Sequence, residues 1–197
     1  MPRQSRAYFI VSVALMSALS IVFELMPAFR VPWGMKIAFV GTIWVLSFFL
    51  YGTAEATYVS LITTGFIIIY SPTGIVGATM KFIATIPMFL VPAALQYLPY
   101  FTEKTSKMYD NIPVILLSGV LASLARIVIA SIVNYYWAIP LWLGMPSEVV
   151  LQTMFGGSIL GFVTFVAGMN VVQGIVDIVV PWLLAYKFRL SNLYGTW

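Results

Sequence analysis

The sequence predicts an all-α integral membrane protein: one domain over 1–197, six transmembrane helices and both termini in the cytoplasm. Three observations carry this prediction. The chain is 61% hydrophobic and 8% charged, where a soluble domain has about 25% charged residues. Apolar stretches recur near 7–27, 37–52, 55–71, 74–98, 112–134 and 158–187. With six crossings, Arg3, Arg6, Lys104, Lys107, Lys187 and Arg189 fall on one side and only Arg30 and Lys36 on the other. The positive-inside rule makes the richer side cytoplasmic. The crossings must be helices, because isolated strands would leave backbone groups unpaired in lipid.

The first stretch follows a basic flank, MPRQSR, as a signal peptide would. Its apolar run, Ala7 to Met26, has the roughly 20 residues of a span, so it is expected to be the first helix. It carries Ala14 and Ala18 four apart, with Ala7 further back. Such spacing lets another helix approach closely, although it is common in membrane helices. The second and third stretches fall short of the roughly 20 residues a bilayer core requires, so tilt is expected. The fourth opens at Gly74. TEKTSKMYDN (102–111) is the hydrophilic linker before the fifth, which ends in NYYWAIPLW (134–142). The last stretch is too long for one crossing, and Gly168 is expected to break it before a final helix from Asn170 to Tyr186. Gly157 and Gly161 repeat the small-residue spacing. No internal repeat is visible, which speaks against inverted-repeat transporters.

Four ionisable residues remain inside the spans: Glu24, Lys81, Arg126 and Asp177. Charges at such depth are costly and face a partner or a polar cavity. Arg126 and Asp177 lie at similar depth and are positioned to pair, which would satisfy both and fix the packing. Glu24, Lys81, Asn134, Asn170 and Gln173 all fall in the outer half, and Asn170 and Gln173 share a helix face. With Tyr135, Tyr136, Trp137 and Trp142 beside them, they describe an outward-facing pocket with aromatic walls and a few polar groups. The plainer alternative is that the rings form an interfacial belt and the amides bridge helices.

The sequence has no cysteine and no histidine, which removes thiol nucleophiles, imidazole bases and the usual zinc and haem ligands. No paired intramembrane acids occur at motif spacing, so an enzyme is not expected. No metal or cofactor is expected either. A phosphate-binding GxxxxGK[ST] loop is absent, so ATP hydrolysis by that route is excluded. The net charge of +4 reflects orientation in the bilayer rather than nucleic-acid binding.

Three segments carry a resemblance to a known family. SPTGIVGATMKF (71–82), NYYWAIPLW (134–142) and NVVQG (170–174) resemble, in order, the Gly-rich entry to helix four, the Asn-Tyr-Phe…Pro-Leu-Tyr signature and the Asn-x-x-Lys-Gly of the riboflavin-specific S components of energy-coupling factor (ECF) vitamin transporters. Length, six helices and the Ala14/Ala18 face are similar as well. The resemblance implies an S-component bundle in the cell membrane with riboflavin or a related flavin as transported ligand. It implies that Asn134 and Asn170 hydrogen-bond the flavin ring system. Gln173 stands where the family has lysine, and Lys81 is expected to supply the cation from the fourth helix. The family's acidic residue in the first outer loop is missing from MKIAFVGT (35–42). Tyr135, Trp137 and Glu24 complete the expected substrate site.

The resemblance further implies capture without chemistry. The vitamin enters from outside under a lid, Phe29 to Lys36. The helix-one face (Ala14, Ala18) docks on a membrane scaffold protein with two ATPase subunits. ATP hydrolysis there topples the S component and releases the vitamin inside. Two alternatives stay open: an S component for another vitamin, and a proton-coupled secondary transporter using Glu24, Lys81 or Asp177 as a relay.

Overall fold

In the computed structural model, residues 5–27, 29–30, 36–72, 74–101, 104–194 and 197 are described. Arg3, residues 31–35 of the expected lid, Thr73, and the first two residues of the 102–111 linker lie outside them. Helix α1 (Arg6–Leu25) leads into a two-stranded antiparallel hairpin, β1 (Phe29–Arg30) and β2 (Lys36–Ile37). There follow α2 (Val40–Tyr51), α3 (Thr53–Tyr70), α4 (Gly74–Thr85) and α5 (Pro87–Leu95). A 3-10 turn (Ser106–Asp110) precedes α6 (Ile112–Val133), which runs through a π-helical turn (Asn134–Ala138) into α7 (Ile139–Leu143). Then come α8 (Ser147–Phe155), α9 (Ile159–Trp182), a second π-helical turn (Leu183–Lys187) and α10 (Leu190–Tyr194).

Among the described residues five helical runs are long and apolar enough to cross a membrane: Arg6–Leu25, Thr53–Tyr70, Gly74–Leu95, Ile112–Leu143 and Ile159–Lys187. Helix α2, at the expected second crossing, has 12 residues. At about 1.5 Å per residue it measures about 18 Å, short of the ~30 Å hydrocarbon core. All 12 of its residues are buried. Apolar all round, it packs in the middle of the bundle against α1, α3 and α9, which is where a helix without a polar face belongs. Because protein surrounds it, its length need not match the bilayer.

Two expectations about helix boundaries are corrected. Gly168 does not break the last stretch, since α9 is continuous from Ile159 to Trp182. A lone glycine costs about 1 kcal/mol, too little to give up backbone bonds in an apolar setting. The fourth stretch is interrupted instead, at Ile86, because Pro87 has no N–H to continue the ladder. The β hairpin and α8 were not visible as apolar periodicity.

Local chemistry explains the other ends. Ser5 caps α1, its hydroxyl accepting from the Tyr8 N–H at 3.2 Å, and Ser158 caps α9 by accepting from Gly161 at 3.0 Å. Gly52 turns the chain from α2 into α3 at φ 110°, a conformation that favours glycine. On α1, Ser12, Met16, Ser20 and Glu24 recur every four residues on the buried face, while Ala14 and Ala18 are exposed. Ser20 accepts from the Trp44 indole of α2 at 3.0 Å, which gives a fully buried N–H its partner.

Aromatic rings cluster at one end of the core. Phe48 packs on Tyr109 and Trp197 with ring centroids 5.6 and 5.1 Å apart, and Phe49 lies 5.5 Å from both Tyr109 and Tyr186. The Tyr109 hydroxyl donates to the Pro92 carbonyl at 2.7 Å, and burial pushes its phenol above the ordinary tyrosine range. Ring contacts from Tyr8 to Tyr51 and from Tyr51 to Tyr194, with a Lys187–Asp110 contact at 3.3 Å, bring the start of α1 and the C-terminal segment to this same end. The hairpin and Glu24 lie at the opposite end.

Candidate functional site

The polar residues collect around a cleft towards the hairpin end of the bundle. The space in it that water-sized molecules can occupy is about 100 Å³. Helix α4 contributes Val76, Gly77, Met80, Lys81, Ala84 and Thr85. From α6 come Arg126 and Ala130; the π-helical turn and α7 add Asn134, Ala138 and Trp142. Helix α9 contributes Asn170, Gln173 and Asp177, and Lys36 and Gly41 close the remaining side.

An ion pair forms one wall. Arg126 Nη1 donates to Asp177 Oδ2 at 2.8 Å, and both residues are buried. The pairing expected from their depths is present. Its neighbours complete the satisfaction that a buried pair requires. Arg126 Nε donates to Asn170 Oδ1 at 2.9 Å, and Asp177 Oδ1 accepts from Gln173 Nε2 at 2.9 Å and from Thr42 at 3.3 Å. Gly41 is the point of closest approach. A Cβ there would stand 2.7 Å from each carboxylate oxygen of Asp177, so only glycine lets α2 pass.

Gln173 also ties the hairpin down. Its Oε1 accepts from the Ala38 N–H at 2.9 Å and its Nε2 donates to the Ala38 carbonyl at 2.8 Å. Ala38 sits between β2 and α2, where its peptide has no ladder or helix partner, and the side-chain amide supplies both bonds. On the other flank Lys36 pairs with Glu24 of α1. The second Glu24 oxygen lies 3.7 Å from Lys81 Nζ.

The two asparagines are used differently. Asn170 donates through Nδ2 to Val166 at 2.8 Å and accepts from Arg126, so its amide is largely committed to the protein. Asn134 donates through Nδ2 to Ala130 at 2.7 Å. Among the described residues no donor reaches its Oδ1, which leaves that oxygen for the cleft. Asn134 opens the π-helical turn. Pro140 has no N–H to offer the Tyr135 carbonyl five residues earlier, and the Ser147 hydroxyl donates to that carbonyl instead, at 2.7 Å. Turns of this kind recur at functional sites.

Of the residues singled out from sequence, Asn134, Asn170, Gln173 and Lys81 line the cleft together, with Glu24 behind Lys81. Tyr135 packs away from it, edge-on to Phe162 with centroids 5.5 Å apart, and Trp137 is not among the lining residues. Trp142 supplies the large ring of the cleft. Lys36, Gly41 and the Arg126–Asp177 pair also line it. The sequence signal for Arg126 and Asp177 was their charge within apolar helices; nothing local pointed to Gly41.

No protein-family model matches the chain, and no curated protein matches it. A solved structure does match, described as "Structure and mechanism of the S component of a bacterial ECF transporter". It aligns with a TM-score of 0.70 over 96% of this chain and 98% of its own, at 20% identity. The chain has the S-component fold. The matched protein is a transporter component, and among the described residues of this chain five helical runs are long and apolar enough to cross a membrane. In this fold the cleft lies among helices rather than in a loop cluster, so the spacing of its polar groups is set by helix packing.

Proposed function

We propose that the chain is the S component of an ECF-type vitamin importer, selective for riboflavin or a related flavin. Both termini lie in the cytoplasm in this reading, and the hairpin end opens to the outside. The observation that carries it is the cleft itself. An amide with an uncommitted oxygen, Asn134, stands with the indole of Trp142 and with Lys81 in one space, inside a fold shared along nearly its whole length with an S component.

The chemistry suits a flavin. Its flat ring offers faces for Trp142 and a uracil-like edge of alternating donors and acceptors. Stacking a base on an aromatic ring is worth about 1–3 kcal/mol. The Asn134 Oδ1 accepts from that edge, and the second N–H of Asn170 donates to it. The Arg126–Asp177 pair is the scaffold that orients Asn170 and Gln173. The hairpin strands belong to the lid: the Gln173–Ala38 bonds anchor its base, and the Lys36–Glu24 pair ties β2 to α1. The exposed Ala14/Ala18 face of α1 meets the membrane scaffold, which carries the two ATPase subunits. The absence of a nucleotide-binding loop in this chain agrees with that division of labour.

The test is the visible absorption spectrum of the protein purified in detergent, with added riboflavin titrated by fluorescence quenching. A yellow protein, or tight quenching, is expected. Asn134→Ala should weaken binding about tenfold or more, as a buried edge left without its partner requires. A colourless protein that fails to quench riboflavin rejects the flavin reading and redirects it to another vitamin.

A further inference from the structure

The charges around the cleft do not cancel. Three cations line it, Lys36, Lys81 and Arg126, against one carboxylate, Asp177. Arg126 is matched by Asp177. Lys36 is matched by Glu24, just behind the wall. Among the described residues Lys81 has only the far oxygen of that same Glu24, at 3.7 Å, and this oxygen accepts no hydrogen bond from them. Three cations therefore face two carboxylates, and one positive charge is left over at Lys81, whose side chain is 14% exposed.

An ammonium so far withdrawn from water is poorly compensated by a carboxylate already shared with another lysine. A ligand that brings its own negative charge removes the deficit, and in a water-poor cleft the attraction is stronger than at a surface. The same imbalance works against a cationic ligand. A neutral flavin satisfies Asn134 and Trp142 but leaves the charge at Lys81 standing.

We infer that the ligand of this cleft carries an anionic group, a phosphate monoester if the ligand is a flavin, and that this group sits against Lys81. The inference rests on the reading of the cleft as a flavin site. Its physical basis is the unmatched charge of Lys81, whereas the contacts to a flavin ring come from Asn134 and Trp142.

Riboflavin and FMN share a ring and a ribityl chain and differ by one phosphate, so they isolate the claim. Both would be titrated by fluorescence quenching into the wild type, Lys81→Gln and Lys81→Arg. FMN should bind the wild type about tenfold or more tighter than riboflavin, as a desolvated charge contact requires. Lys81→Gln should bind the two alike, and Lys81→Arg should keep the preference. Equal or weaker binding of FMN, or a preference that survives Lys81→Gln, overturns the inference and leaves the flavin reading intact. If neither flavin binds, the flavin reading falls, and inorganic phosphate becomes the probe. Thermal stabilisation by phosphate over chloride at equal ionic strength, lost in Lys81→Gln, would still support an anion at Lys81; no difference would overturn it.

Discussion

At one end of the bundle Phe48, Phe49, Tyr109, Tyr186 and Trp197 fill space with rings; at the other, Lys36, Lys81, Arg126, Asn134 and Asp177 surround a cleft. The ring end is held mostly by ring contacts that need only proximity and shape, with the Tyr109 and Tyr186 hydroxyls adding bonds to the Pro92 and Ser106 carbonyls. The cleft end is held by directional bonds. Arg126, Asp177, Gln173 and Asn170 are each satisfied by a specific partner, and losing one partner strands another. What remains for a ligand is the small remainder, chiefly the Asn134 oxygen and the Lys81 charge. In the proposed reading, the binding site is what the polar network leaves over.

The sharpest way to break this comparison is to damage each end once. Asp177→Ala leaves the Arg126 guanidinium buried without a carboxylate and should cost about 3–5 kcal/mol of stability. Phe48→Ala removes a fully buried ring and should cost a similar ~3–5 kcal/mol. Thermal unfolding in detergent measures both. The ends differ in rescue. Replacing Arg126 and Asp177 together by leucine should recover most of the loss, because no orphaned charge remains. A double variant as unstable as Asp177→Ala would sink the view of the pair as a self-satisfying unit. Flavin affinity of folded Phe48→Ala should stay at the wild-type value.

A smaller effect is expected at Gly41. An added methyl meets a carboxylate that Arg126 and Gln173 hold in place, so Gly41→Ala should cost about 1–3 kcal/mol, the usual range for overpacking. The same melting experiment reads it, and an unchanged melting temperature would mean that α2 has room to move. Ser147→Ala should be smaller still, about 1 kcal/mol, as the Tyr135 carbonyl loses its one side-chain donor. It tests whether the π-helical turn is held from outside the cleft: stability should fall while flavin affinity does not.

Legibility followed the same division. The apolar stretches near 7–27, 112–134 and 158–187 stood out because the bilayer imposes length and hydropathy on each helix separately. The continuity through Gly168 was misjudged because a break at a lone glycine ignores how costly unpaired backbone is in an apolar setting, and the interruption before Pro87 was missed because hydropathy does not register a lost N–H. Short elements such as the hairpin and α8 carry too little periodicity to announce themselves. Within the site, Asn134, Asn170, Gln173 and Lys81 were legible as polar residues at one depth. That Trp142 rather than Trp137 faces the cleft depends on the phase of the π-helical turn, which shifts every side chain after Asn134 away from its α-helical direction.

By itself the sequence determined that this protein is a bundle of membrane helices with a few polar groups that lipid would reject. It also determined that cysteine, histidine and phosphate-loop chemistry are absent. The tertiary structure decided who answers whom. Gln173 bonds the peptide of Ala38 across 135 positions of chain, and Glu24 is claimed by Lys36 before Lys81. Burial is a sum over local composition and can be read along the chain; a hydrogen bond or ion pair exists only when two particular groups meet within about 3 Å, and that meeting is fixed by helix packing.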